Sequence, residues 1–155
     1  MSSLDELYKA VLLDHYTHPR NRGTVEGGGS PVDLRNPSCG DTIRLTLRLD
    51  PEGRIADIRF LGQGCSISQA SASIMTEAVK GKPGEEALRL AERFKAMLRG
   101  EAELTPEDGD LLALEGVRQF PVRVKCATLA WNALEKGLAE AKRAEAGEKE
   151  TKAGE

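Results

Sequence analysis

Three cysteines are the residues of this sequence best suited to chemistry: Cys39, Cys65 and Cys126. They lie 26 and 61 positions apart and form no Cys-x-x-Cys pair, and their odd number argues against a disulfide framework. A deprotonated cysteine is both a ligand for soft metals and the nucleophile of sulfur chemistry. Metal binding and thiol chemistry are therefore the two functional hypotheses. The alternative is that all three are small buried apolar residues.

An aspartate accompanies the first cysteine. Asp41 follows Cys39 by two positions in the segment Asn-Pro-Ser-Cys-Gly-Asp (36–41), which predicts a tight loop. Three thiolates and one carboxylate would complete a tetrahedral shell for zinc, or an exchangeable site for iron. On spacing alone, an aspartate that caps a turn is the more common explanation of Asp41.

The elements predicted around the other two cysteines favour thiolates. Cys65 follows a predicted strand and precedes a helix, and Cys126 lies in or near the first turn of the last predicted helix. Helix N-termini carry unpaired N–H groups and partial positive charge, which lower the pKa of a nearby thiol. Arg123 and Lys125 add positive charge beside Cys126, unless they are only solvated residues at a helix start.

The pattern of apolar residues predicts an α+β fold. Alternation at positions 43–49 and 55–60, with the turn segment Asp-Pro-Glu-Gly (50–53) between them, indicates a β-hairpin. Strands come early and helices late, which is typical of this class. Positions 20–35 are expected to be irregular. Helices are predicted from Ser3 to before Pro19, from about 66 to 80, over 85–98, over about 105–114 and from about 123.

Length and composition limit the function classes. The chain of 155 residues fits one domain, predicted over 1–143, with a charged tail over 144–155 that we expect to be frayed or disordered. Its 22 Lys and Arg against 25 Asp and Glu give a net charge of −3, which argues against a nucleic-acid partner. No apolar run fits a membrane span and no secretory signal is visible, so we expect a cytoplasmic protein without a membrane partner.

Three segments together resemble the signature motifs of a known family. These are Asn-Pro-Ser-Cys-Gly-Asp (36–41), Gly-Gln-Gly-Cys-Ser-Ile-Ser-Gln-Ala-Ser-Ala-Ser (62–73) and Arg-Val-Lys-Cys-Ala-Thr-Leu-Ala-Trp (123–131). They resemble the U-type iron–sulfur cluster assembly scaffolds (the IscU and SufU proteins and the N-terminal domain of NifU). The resemblance implies a sandwich with a small antiparallel sheet covered on one side by helices. It also implies a metal site made by Cys39, Asp41, Cys65 and Cys126.

Two departures indicate the SufU branch of that family. Lys125 stands where the IscU branch has a histidine, and a protonated lysine is a poor ligand. The stretch between Cys65 and Cys126 also carries an additional helical segment, within about 85–116. The SufU branch binds zinc through three cysteines and one aspartate and accepts sulfur from a cysteine desulfurase of the SufS or IscS type.

The expected function is therefore a zinc-bound sulfur acceptor in iron–sulfur cluster assembly, at most a sulfurtransferase partner of the desulfurase and not a stand-alone catalyst. Cys39 is the expected acceptor, because its loop bounded by glycine and proline suits a mobile thiol better than the helix of Cys126. One alternative is a scaffold that assembles a [2Fe–2S] or [4Fe–4S] cluster on the three cysteines and passes it to recipient apoproteins. The other is an interaction module with purely structural zinc. His18, which precedes a proline at a helix end, is expected to have a local structural role, and His15 recurs at helical spacing with the apolar residues of the first predicted helix.

Overall fold

The computed structural model describes the backbone of residues 3–37 and 40–154 and the side chains of residues 6–37 and 40–142. The described chain forms three strands, four α-helices and a 3-10 segment. In chain order these are α1 (Ser3–Thr17), β1 (Val32–Asn36), β2 (Asp41–Leu49), β3 (Ile55–Gln63), α2 (Ser66–Val79), α3 (Gly84–Leu98), the 3-10 segment (Pro106–Gln119) and α4 (Pro121–Gly154).

The strands form one antiparallel sheet in the order β1-β2-β3. The predicted hairpin is confirmed as β2 and β3. Asp50 closes its turn by accepting hydrogen bonds at Oδ1 from the N–H groups of Glu52 and Arg54, each at 2.9 Å. Gly53 takes a φ of +82° in this turn, a conformation that glycine adopts without steric cost.

The expectation of an irregular segment over 20–35 is wrong for its last part, because β1 occupies positions 32–36. Val32 pairs with Leu45 and Asn36 pairs with Asp41 across the sheet. A strand of five residues beside a glycine-rich segment has a weak local pattern. Its pairing with β2, a non-local interaction, defines it instead.

Helices cover one face of the sheet, as predicted. Alternate residues of β2 and β3 point inward, including Ile43, Leu45 and Phe60, each at most 1% exposed. Helix α4 packs on β1 and β2, and α2 packs on β3. The other face carries arginines and Leu61, which is 37% exposed. Trp131 of α4 stacks on Phe94 of α3 with the ring centroids 4.7 Å apart, which joins the additional helical segment to the core.

The helix predictions for α1, α2 and α3 are confirmed, and two later elements differ in extent. The 3-10 segment runs to Gln119, beyond the predicted helix, and is broken at Gly109, where φ is +58° and ψ is −126°. Helix α4 begins at Pro121, two residues earlier than predicted, because proline suits a first helical position that needs no N–H donor. The side chains beyond Lys142 lie outside the described part, and the frayed tail over 144–155 stays a prediction.

His15 ties three elements together in the interior. Its side chain is buried, with Nδ1 2.7 Å from Ser73 Oγ of α2 and Nε2 2.7 Å from Asp110 Oδ2 of the 3-10 segment. Ser73 Oγ also accepts the backbone N–H of Arg20 at 2.8 Å. The burial of His15 agrees with its predicted place among the apolar residues of the first helix.

Candidate metal centre

Three of the predicted ligands meet at one end of the sheet. One ligand atom from each of Asp41, Cys65 and Cys126 lies within 4.8 Å of the other two. Each residue is placed by the start of an element: Asp41 is the first residue of β2, Cys65 is the N-cap of α2, and Cys126 lies in the second turn of α4. Residues far apart in the chain therefore converge because the N-terminal ends of two helices reach the same end of the sheet.

The carboxylate of Asp41 contacts both the backbone and the thiol of Cys65. The residue is fully buried, and its Oδ1 accepts the backbone N–H of Cys65 at 2.8 Å. Its other oxygen, Oδ2, lies 3.9 Å from Cys65 Sγ. One oxygen of Asp41 therefore caps the start of α2 and the other faces the thiol, and the role of Asp41 as a metal ligand stays a prediction.

Gly64 makes room for this carboxylate. Its φ is +151°, and a Cβ at this position would lie 2.1 Å from Asp41 Oδ1 and 2.8 Å from Ser68 Oγ. Real carbon–oxygen contacts are never so short, so any side chain at position 64 would displace Asp41. The centre therefore requires glycine at position 64, because only a residue without a side chain leaves room for the Asp41 carboxylate.

The two described cysteines have different surroundings. Cys126 is 1% exposed, whereas Cys65 is partly exposed. Asn36 donates from Nδ2 to Cys126 Sγ at 3.9 Å, and Cys126 Sγ lies 3.7 Å from the carbonyl oxygen of Val122. Sequence reasoning did not single out Asn36, although it opens the motif that carries Cys39.

Cys39, the predicted acceptor, lies outside the described residues. Of the described residues on either side of it, Gly40 donates its N–H to the carbonyl oxygen of Asn36 at 2.8 Å. Gly40 takes a φ of +71° there. The role of Cys39 as fourth ligand and sulfur acceptor therefore stays a prediction.

The two predicted supporting cations are at the surface. Arg123 and Lys125 are exposed, and within the part of the chain that the structure describes their side chains form no hydrogen bond or ion pair; the backbone N–H of Arg123 donates to the Phe120 carbonyl oxygen and the Lys125 carbonyl oxygen accepts from Thr128 Oγ1. Their proposed electrostatic support of the site stays a prediction. Neither histidine belongs to the cluster: His15 is held by Ser73 and Asp110, and His18 is exposed on the N-terminal segment.

The donor set fits zinc. Zn–S bonds of about 2.3 Å in a tetrahedral centre place neighbouring ligand atoms about 3.5–3.8 Å apart. The 3.9 Å between Cys65 Sγ and Asp41 Oδ2 is close to that separation. Zinc binds both thiolate sulfur and carboxylate oxygen, and thiolates also hold iron in iron–sulfur clusters.

An apolar groove adjoins this end of the molecule. It has a volume of about 750 Å³ and lies between α1, the start of α2, the end of the 3-10 segment and the start of α4. Ile67 is two residues from Cys65, and Phe120 at the groove edge is 59% exposed. Val122, two positions after Phe120, is 65% exposed. Among the described residues, no helix has the length and apolar character to cross a membrane.

The sequence model of the family described as the NifU-like N-terminal domain matches residues 7–147. The chain belongs to this family. The NifU-like match spans every element that builds the metal centre, and the resemblance inferred from the three cysteine motifs is thereby confirmed.

Individual relatives of this NifU-like chain have names from both branches. It is 51% identical over 139 residues to the zinc-dependent sulfurtransferase SufU of Bacillus subtilis, covering 89% of this chain and 93% of that protein. It is 48% identical over 139 residues to the iron–sulfur cluster assembly scaffold protein IscU of Streptococcus pyogenes, covering 89% and 86%. A putative SufU scaffold from Fervidobacterium islandicum has a similar crystal structure, with a TM-score of 0.78, 33% identity and coverage of 88% and 99%. The predicted sheet with helices on one side is therefore the fold of this family.

Proposed function

We propose that this protein is a zinc-bound sulfur acceptor of iron–sulfur cluster assembly that takes sulfur from a cysteine desulfurase in the cytoplasm. The observation that carries the proposal is the convergence of Asp41, Cys65 and Cys126 within 4.8 Å. The 51% identity to a protein named as a zinc-dependent sulfurtransferase supports the same chemistry. The residues that would hold the ion are Cys39, Asp41, Cys65 and Cys126.

The proposed reaction is a transfer of sulfur between thiols. A thiolate of this protein, proposed to be that of Cys39, attacks the terminal sulfur of a persulfide on the desulfurase. A new S–S bond forms on the acceptor, the S–S bond of the donor breaks, and the donor cysteine leaves as a thiolate. No external oxidant or reductant is required.

Bound zinc would keep the cysteines deprotonated and protect them from oxidation. The chain contributes the rest of the arrangement. Asp41 accepts the N–H of Cys65, the N-cap residue of α2, and thereby fixes the start of that helix and the position of the Cys65 side chain.

We propose that the apolar groove beside the metal centre receives the desulfurase. A persulfide donor has to come within bonding distance of the acceptor thiol, so the docking surface must lie next to the ligands. The groove meets this condition, because Ser66 and Ile67 directly follow Cys65, and exposed Phe120 offers an apolar anchor.

The first experiment measures zinc content and desulfurase turnover. We expect the purified protein to hold one zinc ion and to stimulate cysteine desulfuration by its partner while the zinc is retained. Cys39→Ala is expected to abolish both the stimulation and the persulfide found by mass spectrometry on this protein. No stimulation, together with a stable coloured cluster after anaerobic iron loading, would instead support the scaffold alternative, in which the cluster is cargo passed to recipient apoproteins.

The second experiment tests the groove. Phe120→Ser is expected to raise the desulfurase concentration needed for half-maximal stimulation about tenfold or more, as for an interface anchor, without changing the zinc content. Leu61→Ser is the matched control, because it removes an exposed leucine from the open face of the sheet, away from the groove. Equal effects of the two substitutions would contradict docking in the groove.

A further inference from the structure

Asn36 is the one described side chain that donates a hydrogen bond to a sulfur of the centre from outside the ligand set. Its Nδ2 lies 3.9 Å from Cys126 Sγ, and the residue is 6% exposed. It is the last residue of β1 and pairs with Asp41 across the sheet. The same strand pair that places the carboxylate therefore also places an amide donor beside the buried thiol.

The two described thiols are held unequally. Cys126 is buried and receives the amide of Asn36, whereas Cys65 is partly exposed and its sulfur faces the Asp41 carboxylate, an acceptor. An N–H donor to a metal-bound thiolate withdraws electron density from the sulfur and fixes its orientation. A thiolate in this position is less nucleophilic, and its fixed orientation keeps its sulfur directed at the metal.

We propose that Asn36 is a positioning residue that holds Cys126 as the permanent anchor of the metal and keeps it from serving as the sulfur acceptor. This inference rests on the proposed function, because it assumes a metal at this centre. It assigns different roles to the cysteines: Cys126 stays bound to the metal, and ligand exchange takes place among the other ligands.

The test uses cobalt as a spectroscopic probe in place of zinc. Loss of the amide donor in Asn36→Leu is expected to move the sulfur-to-cobalt charge-transfer band to longer wavelength, because the thiolate becomes more electron-rich. Asn36→Asp keeps the shape of the side chain without the donor and is expected to move the band in the same direction. Asn132→Leu is the control, because this exposed amide of α4 accepts from Lys95 at 3.1 Å and lies outside the metal centre.

A second readout follows the reactivity of each cysteine in the zinc-loaded protein. In the wild type, we expect iodoacetamide to modify Cys126 more slowly than Cys65, as found by peptide mass spectrometry. Asn36→Leu is expected to raise the rate at Cys126 about fivefold, equivalent to one ordinary hydrogen bond, and to leave the rate at Cys65 nearly unchanged. A purely structural role of Asn36 would raise both rates together.

A measurement on the wild-type chain decides the question if the variants fail to fold. In the protein loaded with ¹¹³Cd, a scalar correlation between the metal and the Asn36 amide proton would support the N–H···S bond. Absence of this correlation, or variants with the wild-type cobalt band and labelling rates, would overturn the role of Asn36. A wild-type chain that binds neither cobalt nor zinc would contradict the proposed function itself, so the two failures are distinguishable.

Discussion

At the scale of single residues, the centre depends on the hydrogen bond that Asp41 accepts and on the space that Gly64 leaves for its carboxylate. Asp41 is fully buried, yet it is not an isolated charge, because one of its oxygens accepts the Cys65 N–H at 2.8 Å. Burial of a carboxylate without such partners is costly. Gly64 allows the arrangement because it has no Cβ to collide with Asp41. The position of the Asp41 carboxylate thus depends partly on Gly64, which contributes only space.

Gly64→Ala is expected to disrupt the centre. The added methyl group would lie 2.1 Å from Asp41 Oδ1 in a backbone conformation that alanine rarely adopts. We expect zinc affinity to fall at least tenfold in a competition with a chelator, and the free energy of unfolding to fall by about 1–3 kcal/mol. Gly29→Ala is the control, because a Cβ there meets nothing within 4 Å and its φ is not positive. Equal zinc affinity in the two variants would contradict the steric argument.

At the scale of elements, the centre depends on helices that are held in place from within. His15 of α1 contacts Ser73 of α2 and Asp110 of the 3-10 segment, and Ser71 of α2 donates to the Ala127 carbonyl of α4 at 2.6 Å. The contacts of Ser73 and Ser71 are buried, whereas the Asp110 side chain is 58% exposed. Together these contacts fix α2 and α4, the two helices that carry Cys65 and Cys126. Removing one partner of such a buried polar contact lowers the free energy of unfolding, because the other partner is left without a hydrogen bond.

His15→Ala is expected to destabilise the fold. The substitution leaves Ser73 and Asp110 without their histidine partner and creates a small cavity, so the free energy of unfolding should fall by about 2–4 kcal/mol in urea. His18→Ala is the matched control, because the His18 side chain is 79% exposed, and we expect a change within about 0.5 kcal/mol. If His15→Ala changed the free energy of unfolding as little as His18→Ala, the contacts of His15 with Ser73 and Asp110 would contribute little to stability.

At the scale of the whole molecule, the apolar core is separate from the metal centre. The core lies between the inner face of the sheet and the helices, with Trp131, Phe94 and Phe60 fully buried. The centre lies at the end of the sheet, where β2, α2 and α4 begin. We therefore expect the fold to persist without metal, in contrast to small domains that fold only around zinc.

Metal removal is expected to lower stability without unfolding the protein. Treatment with a chelator should leave the far-ultraviolet circular dichroism and the Trp131 fluorescence unchanged at 25 °C. Zinc at a free concentration 100 times its Kd adds about 2.7 kcal/mol, so Tm should drop by about 5–10 °C. Unfolding on metal removal, with no thiol gaining sulfur from the desulfurase, would favour the purely structural role of zinc.

The acid stability of the molecule should depend on Asp108. Hydrogen bonds from Arg93 at 2.7 and 2.8 Å hold the pKa of this carboxyl below its ordinary value of 3.8. A lowered pKa in the folded state means that the stabilisation is complete above pH 3.8 and is lost as the pH falls through the lowered value. Asp108→Asn should cost about 1 kcal/mol at neutral pH and flatten the decline of stability below pH 4.

Asp33→Asn is the control for this pH dependence. Asp33 pairs with Arg44 on the exposed face of the sheet, where solvent screens the interaction, so the substitution should change neutral stability only slightly. The free energy of unfolding, measured in urea between pH 2.5 and 7, distinguishes the two variants. If the free energy of unfolding fell equally steeply below pH 4 in Asp108→Asn and in the wild type, Asp108 would not be the source of the acid dependence.

Much of this protein could be predicted from local patterns. The alternation of β2 and β3, the turn at Asp50 and the periodicity of α2 and α3 are short-range signals, and each is confirmed. Strand β1 was missed because its pairing with β2 is non-local. The early start of α4 was also missed, although Pro121 is a signal that could have indicated it.

For the centre, the residue types were sufficient to indicate the chemistry, because Asp41, Cys65 and Cys126 offer carboxylate oxygen and thiolate sulfur to a metal. The folded structure was needed to show that these residues meet, that Gly64 provides space for Asp41, and that Asn36 reaches Cys126. The physical reason is that residue type fixes what a side chain can bind. The packing of helices against the sheet fixes which side chains lie within reach of one another.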